Sequence, residues 1–207
     1  MNAKILVSLA TMLVVGAVAT AGTVAYFTDT TVASGSTITA GTLDLKVDSN
    51  PSGGAQVWSD GFVSPVQLTN LAPGFTDEQI VDIQKQGSVN GVASIRLVVT
   101  SNAENTALAP EVAAGDSASD TTGELPQNIR IKISYSPENN GVFGSVLYDY
   151  TLAEFNANPN QLVLGDILGT DKTASVKIQY SIPASVGNVI MNDSVTINTI
   201  FGLDQKI

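Results

Sequence analysis

Thr42-Leu43-Asp44-Leu45-Lys46-Val47 alternates apolar with polar residues, and this stretch decides the fold class. Successive side chains of a β-strand point to opposite faces, so the alternation places Leu43, Leu45 and Val47 together on one face. The same two-residue period returns at 95–99, 129–133, 176–180 and 195–201. We therefore predict an all-β protein whose strands each bury one face.

Weaker strand candidates lie near 55–58, 66–70, 79–85, 142–148 and 161–164. Many short strands separated by Gly, Pro, Asn and Asp predict a jelly-roll-like β-sandwich. Asn139-Asn140-Gly141 predicts a tight turn between two of them. Thr151, followed by Glu154 three residues later, is typical of a capped helix start and predicts one short helix over 150–155.

Residues 101–127 are polar and small, with little periodicity. A stretch of this length without its own apolar pattern is typical of a long surface loop rather than a second domain. Neither a linker nor an internal repeat interrupts the rest of the chain. We therefore predict a single β-sandwich domain over 40–207 that carries this loop.

The composition excludes several classes of protein. Of the 207 residues, 43 % are hydrophobic and 14 % are charged, which excludes disorder driven by charge. A formal net charge of −10 would repel phosphate backbones, so we expect no nucleic-acid partner. The chain has no histidine and no cysteine, which removes the commonest general base and the best zinc ligands. We therefore expect a protein that is not an enzyme, with no catalytic residue, no cofactor and no metal.

The N-terminal segment has the pattern of an export signal. Lys4 is followed by an uncharged stretch over 5–27, which contains the small-residue sequence Thr23-Val24-Ala25. This anatomy predicts a signal peptide over 1–25, cut by a signal peptidase between Ala25 and Tyr26. The mature protein would be secreted and extracellular, touching the membrane only through this segment before cleavage. A retained membrane anchor is the main alternative, since about 20 apolar residues can span a bilayer; a pilin-type leader is a weaker one.

The tail that cleavage would free, residues 26–39, is rich in residues that favour extended structure. Such a strand suits completion of a sheet edge on a neighbouring subunit, and head-to-tail contacts of this kind grow into filaments. The alternative is a tail without fixed structure, as at many termini. The predicted donor-strand residues are Tyr26, Phe27, Thr28, Thr30 and Val32.

Two groups of acidic residues could supply oxygen ligands for calcium: Asp77, Glu78 and Asp82, and Asp116, Asp120 and Glu124. Neither follows a calcium-loop pattern, and solvated loop charge is the interpretation that we favour for both. Asn192-Asp193-Ser194 fits the N-glycan acceptor pattern, which makes Asn192 a candidate attachment residue.

Several segments together resemble the TasA/camelysin family of secreted fibre-forming proteins, which includes archaeal bundling pilins. They are Ala25-Tyr26-Phe27-Thr28-Asp29, Ala40-Gly41-Thr42-Leu43-Asp44-Leu45, Leu68-Thr69-Asn70-Leu71-Ala72-Pro73-Gly74 and Tyr180-Ser181-Ile182-Pro183-Ala184, with Ser194-Val195-Thr196-Ile197 behind them. The family's usual Asn-x-x-Gln-Gly near the end is replaced by residues 188–192, which puts the geometry of that turn in question.

The resemblance implies a jelly-roll core whose subunits join by donating an N-terminal strand, in a pilus or a biofilm-matrix fibre at the cell surface. The predicted function is thus a structural subunit that binds other copies of itself head to tail, with accessory fibre subunits as further partners. Two alternatives stay open. One is a monomeric or membrane-anchored β-sandwich that binds carbohydrate or protein through its loops. The other is a minor subunit that caps or nucleates such a fibre.

Overall fold

The computed structural model describes residues 28–30, 41–48, 55–60, 66–117, 119 and 121–207. The predicted signal peptide and its cleavage site at Ala25 and Tyr26 lie outside these residues, as do Phe27 and Val32 of the predicted donor strand. Within the described ranges, no helix is long and apolar enough to cross a membrane.

Strands dominate the described chain. They are β1 (Thr28–Thr30), β2 (Asp44–Asp48), β3 (Trp58–Ser59), β4 (Val66–Thr69), β5 (Thr76–Gln86), β6 (Gly91–Ala103), β7 (Arg130–Ser136), β8 (Val146–Thr151), β9 (Leu162–Ile167), β10 (Lys172–Ser181) and β11 (Ser194–Gln205). The helices are α1 (Ala109–Ala114), α2 (Leu125–Asn128) and α3 (Leu152–Ala157).

The strands form two antiparallel sheets. One has the order β1-β11-β6-β9, with β4 also paired to β11, and the other has the order β3-β2-β5-β10-β7-β8. Apolar residues from both sheets form one buried cluster. The predicted all-β, sandwich-type fold is confirmed.

The core follows the alternation that the sequence displays. Leu45 and Val47 of β2 are fully buried, as are Ile131 and Ile133 of β7. Leu43 is partly buried and packs against the same cluster. The remaining runs behave alike, with buried faces formed by Ile95 and Leu97, by Val176, Ile178 and Tyr180, and by Val195, Ile197 and Phe201. The hydrophobic effect therefore fixes which side of each strand faces inward.

The predicted helix and turn are also present. The Thr151 hydroxyl accepts a hydrogen bond from the backbone N–H of Glu154 (3.2 Å), and the Glu154 carboxylate accepts one from the backbone N–H of Thr151 (2.8 Å). This reciprocal cap starts α3, and Phe155 anchors the helix edge-on against Tyr148. Between β7 and β8, Asn139 has a positive φ of 45°, which a tight turn requires.

Three tyrosines of the sandwich predict how stability depends on alkaline pH. Burial raises the pKa of Tyr148 to about 12, and it also raises the pKa values of Tyr135 and Tyr180. A raised pKa means that the folded state favours the protonated phenol, so its stabilisation is complete below the ordinary value near 10 and is lost as pH rises through the folded value.

We expect the urea midpoint of unfolding to stay level up to about pH 9 and to fall above about pH 10. Ultraviolet absorbance of phenolate, followed alongside circular dichroism, checks this. The phenols of Tyr135, Tyr148 and Tyr180 should ionise together with unfolding. Complete ionisation of every tyrosine near pH 10 in a chain that stays folded would contradict the prediction.

Candidate functional site

One edge of β11 is paired along only part of its length by the described strands. On its inner side, β11 pairs with β6 from Ser194 to Gln205. On the other side, which we call the outer edge, β4 pairs only with Ser194–Ile197 and β1 pairs only with Gly202–Asp204. No strand of the described ranges pairs with 198–201 on this side. An exposed strand edge of this kind is a ready template for another strand.

The structure places part of the predicted donor strand on this outer edge. Thr28 lies opposite Asp204, and Thr30 lies opposite Gly202, in an antiparallel ladder within one chain. Residues 28–30 thus form a strand, and this strand pairs with the outer edge of β11. Pairing between two chains stays a prediction, as do the roles of Tyr26, Phe27 and Val32.

The contact that holds β1 is small. The ladder has three residue pairs, whose hydrogen bonds contribute ~0.5–1.5 kcal/mol each. Ordering each residue of the segment costs ~1–2 kcal/mol. For the described pairs these terms nearly cancel, so backbone pairing of 28–30 alone holds β1 weakly.

Several buried polar side-chain atoms on β11 have no hydrogen-bond partner among the described residues. They are Asn198 Oδ1, Thr199 Oγ1 and Gln205 Oε1. Buried acceptors of this kind are usually satisfied in a complete structure. Asn198 and Thr199 lie in the part of the outer edge that no described strand covers.

The first acidic group from the sequence is bonded to neutral side chains. Asp82 Oδ1 accepts from the Ser175 hydroxyl (2.7 Å), and its Oδ2 accepts from the Gln56 amide (2.6 Å). Asp77 accepts from the backbone N–H of Glu78 (2.9 Å). Neither set of converging carboxylates found in the described chain includes these three residues.

The second acidic group is only partly the one that the sequence suggested. Asp116 and Glu124 do belong to converging sets, but their companions are Glu104, Glu111 and Asp193, which sequence reasoning missed. Asp120 lies outside the described residues. We call Glu104, Glu111, Asp116, Glu124 and Asp193 the carboxylate cluster. Burial raises the pKa of Asp193, and the charges of Glu124 and Glu111 add to this rise, while hydrogen bonds with Glu104 and the Glu124 backbone oppose it.

Asn192 lies next to this cluster. Its side-chain amide donates to the Thr106 carbonyl (3.1 Å), and its backbone has a positive φ of 62°. The amide nitrogen that a glycan would occupy is therefore engaged in a hydrogen bond. Glycan attachment at Asn192 stays a prediction.

A protein-family model described as camelysin metallo-endopeptidase matches residues 1–178. No curated protein matches the chain. The matched range runs from the uncharged N-terminal segment into β10, so it includes most of the sandwich.

The word metallo-endopeptidase implies a catalytic metal, and the residues present do not fit one. Catalytic zinc in peptidases is held mainly by histidine, with an open position for water. The chain contains no histidine and no cysteine. The converging groups found in the described residues consist of carboxylates alone, and Glu111 and Asp193 in them are fully buried. We therefore derive no peptide hydrolysis from these side chains.

Proposed function

The chain belongs to the camelysin metallo-endopeptidase family, which confirms its resemblance to TasA/camelysin proteins, and from this we propose that it is a structural subunit of an extracellular filament. Subunits join head to tail when the N-terminal strand of one pairs with the outer edge of β11 in the next. The observation that carries this proposal is the position of 28–30 on that edge, beside a stretch with which no described strand pairs.

Exchange between chains preserves the pairs already present. The ladder that Thr28–Thr30 forms with Gly202–Asp204 is the same whether the strand comes from its own subunit or from a neighbour. Exchange of an identical element between copies is a low-cost route to association. Because donor and acceptor surfaces differ, the contact does not close on itself and growth continues in one direction.

The register of β1 indicates which tail residues would pair with 198–201 of β11. The observed pairs place each later tail residue opposite an earlier residue of β11. A donated strand that extends this register would set 31–34 against 198–201, with Val32 opposite Ile200. Val32 is one of the predicted donor residues. A strand donated in this register would pair with the part of the outer edge that no described strand covers.

Export completes the proposal. Cleavage between Ala25 and Tyr26 by a signal peptidase would free the tail outside the cell, and the net charge of −10 suits a soluble extracellular surface. Partners are further copies of this chain and accessory fibre subunits, in a pilus or a biofilm-matrix fibre. Despite the family's name we propose a role without catalysis, since histidine and cysteine are both absent.

Electron microscopy of the protein purified from the cell surface or medium tests this function. We expect thin filaments whose subunits begin at Tyr26 by N-terminal sequencing. A protein that stays monomeric at every concentration would favour a binding module instead. One that enters fibres only beside another subunit would favour an accessory role. A subunit that retains residues 1–25 would favour a membrane anchor.

A further inference from the structure

Five carboxylates from distant parts of the chain meet at one place. Glu104 follows β6, Glu111 lies in α1, Asp116 follows α1, Glu124 precedes α2 and Asp193 precedes β11. In the first set, one oxygen from each of Glu104, Glu111 and Asp116 lies within 4.8 Å of the others. In the second set, oxygens of Glu104, Glu124 and Asp193 do the same. The two sets share Glu104.

These carboxylates are not a solvated surface patch. Glu111 and Asp193 are 0 % exposed. Burial of an ionised carboxylate is strongly unfavourable unless a cation or hydrogen bonds compensate for it. Of the ion pairs found among the described residues, none includes Glu111, Asp116 or Asp193. A bound cation would offset this local excess of negative charge.

The backbone holds one oxygen of each of three carboxylates. Glu111 Oε2 accepts from the backbone N–H of the residue before α1, and Asp116 Oδ1 accepts from the N–H of the next residue (2.7 Å). Asp193 Oδ2 accepts from the N–H of Glu124 (2.7 Å). The second oxygens of two of them, Glu111 Oε1 and Asp116 Oδ2, are buried and accept no hydrogen bond from the described residues. Glu111 and Asp116 are thus fixed in position, each with a free acceptor inside the protein.

Gly123 packs directly against the Asp193 carboxylate, and Asn102 adds another oxygen nearby. A Cβ at Gly123 would lie 2.7–2.8 Å from the Asp193 carboxylate atoms, so only glycine fits there. The Asn102 amide nitrogen donates to the Gly123 carbonyl (2.7 Å). This bond leaves Asn102 Oδ1 buried without a partner.

We propose that the carboxylate cluster binds calcium. Every available ligand atom is a hard oxygen, the kind that Ca²⁺ prefers, and ligands around Ca²⁺ lie at about 2.3–2.6 Å from the ion. Oxygens up to 4.8 Å apart can therefore surround one ion in each set. Glu104 would bridge the two positions when both are filled. Zinc prefers nitrogen and sulfur ligands, and Mg²⁺ is smaller and retains most of its water.

Calcium at this place would join the 104–124 segment to the body of the sandwich. Glu111 and Asp116 belong to that segment, whereas Glu104 continues β6 and Asp193 leads into β11. The ion would replace the mutual repulsion of these carboxylates with shared coordination. The segment would then be ordered in calcium and loosened in its absence. This inference does not depend on filament assembly.

Isothermal titration of the purified, chelator-stripped chain with calcium chloride tests the proposal. We expect saturable binding, with Mg²⁺ at least ~10-fold weaker because of its stricter geometry. The thermal midpoint should rise by about 5–10 °C at ~100-fold excess over Kd. The number of calcium ions bound per chain in the titration shows whether one or both positions are filled. No binding heat and no midpoint shift in the unaltered chain would overturn the proposal, and equal affinity for Mg²⁺ would overturn the assignment to calcium.

Single substitutions locate the site. Glu111→Gln keeps an oxygen for the α1 cap but removes a charge, and we expect at least ~10-fold weaker binding from the loss of a charged ligand. Glu138→Gln, at an exposed loop residue outside both sets, is the matched control and should bind within about twofold of the unaltered chain. Equal affinity of E111Q and E138Q would contradict this location.

Hydrogen exchange on the unaltered chain gives a second readout that needs no variant. Calcium should slow exchange across 104–124 more than across β2 or β7. A uniform effect over the whole chain, or none, would contradict the ordering role.

Discussion

Deletion of residues 26–35 abolishes filament formation and leaves a folded, exported monomer; this is the largest effect that we expect. The deletion removes β1, which forms three residue pairs with β11 among the described residues. The buried cluster found in the described residues is formed by β2 and the elements that follow it. The truncated chain should therefore keep its cooperative unfolding, while electron microscopy shows no filaments.

Two controls make this result specific. Glu138→Gln, at an exposed residue between β7 and β8, alters neither the tail nor β11, so this variant should polymerise like the unaltered protein. A synthetic peptide of residues 26–35 should bind the truncated monomer, because the outer edge of β11 is left uncovered there. Normal fibres from the truncated chain would refute the donor-strand proposal.

Substitution of Phe201 by alanine should cause the largest loss of stability. Phe201 is fully buried on β11, opposite Ile95 of β6, in the centre of its sheet. Removing a buried phenyl ring costs about 3–5 kcal/mol, a large part of the ~5–15 kcal/mol that stabilises a typical domain. Urea unfolding of the monomeric deletion variant measures this loss without interference from polymerisation.

Ile200→Ala is the matched control, since Ile200 is the neighbouring residue on the opposite face of β11 and is only half-buried. Truncation of Ile200 should lower the free energy of unfolding by less than half as much as truncation of Phe201, because fewer contacts are lost. Equal losses for the two variants would contradict the inward orientation of Phe201 and the register of β11.

The alternation of side chains predicted the strands and their buried faces because that pattern is local. Leu45 and Val47 show it within six residues of sequence, and the fold gives them the expected burial. The cap at Thr151 and Glu154 is equally local, and α3 starts where it predicts. Strand order could not be predicted in this way. β10 lies between β5 and β7, and this placement depends on packing across the whole chain.

Long-range convergence also explains what sequence reasoning missed in the carboxylate cluster. Asp116 and Glu124 attract attention because they are close in sequence, but Glu104 and Asp193 meet only because β6 pairs with β11 along its full length. The sequence does contain one hint, the glycine at position 123 beside Glu124. Its meaning depends on the fold, because it is Asp193 that packs against Gly123. Spacing alone could not show that contact.

A density map of the native filament tests the central proposal most directly. We expect residues 26–35 of each subunit to run antiparallel to β11 of the next, with Thr28 opposite the neighbour's Asp204 and Val32 opposite its Ile200. A map in which that segment pairs with β11 of its own subunit, while other surfaces hold the filament together, would contradict assembly by strand donation.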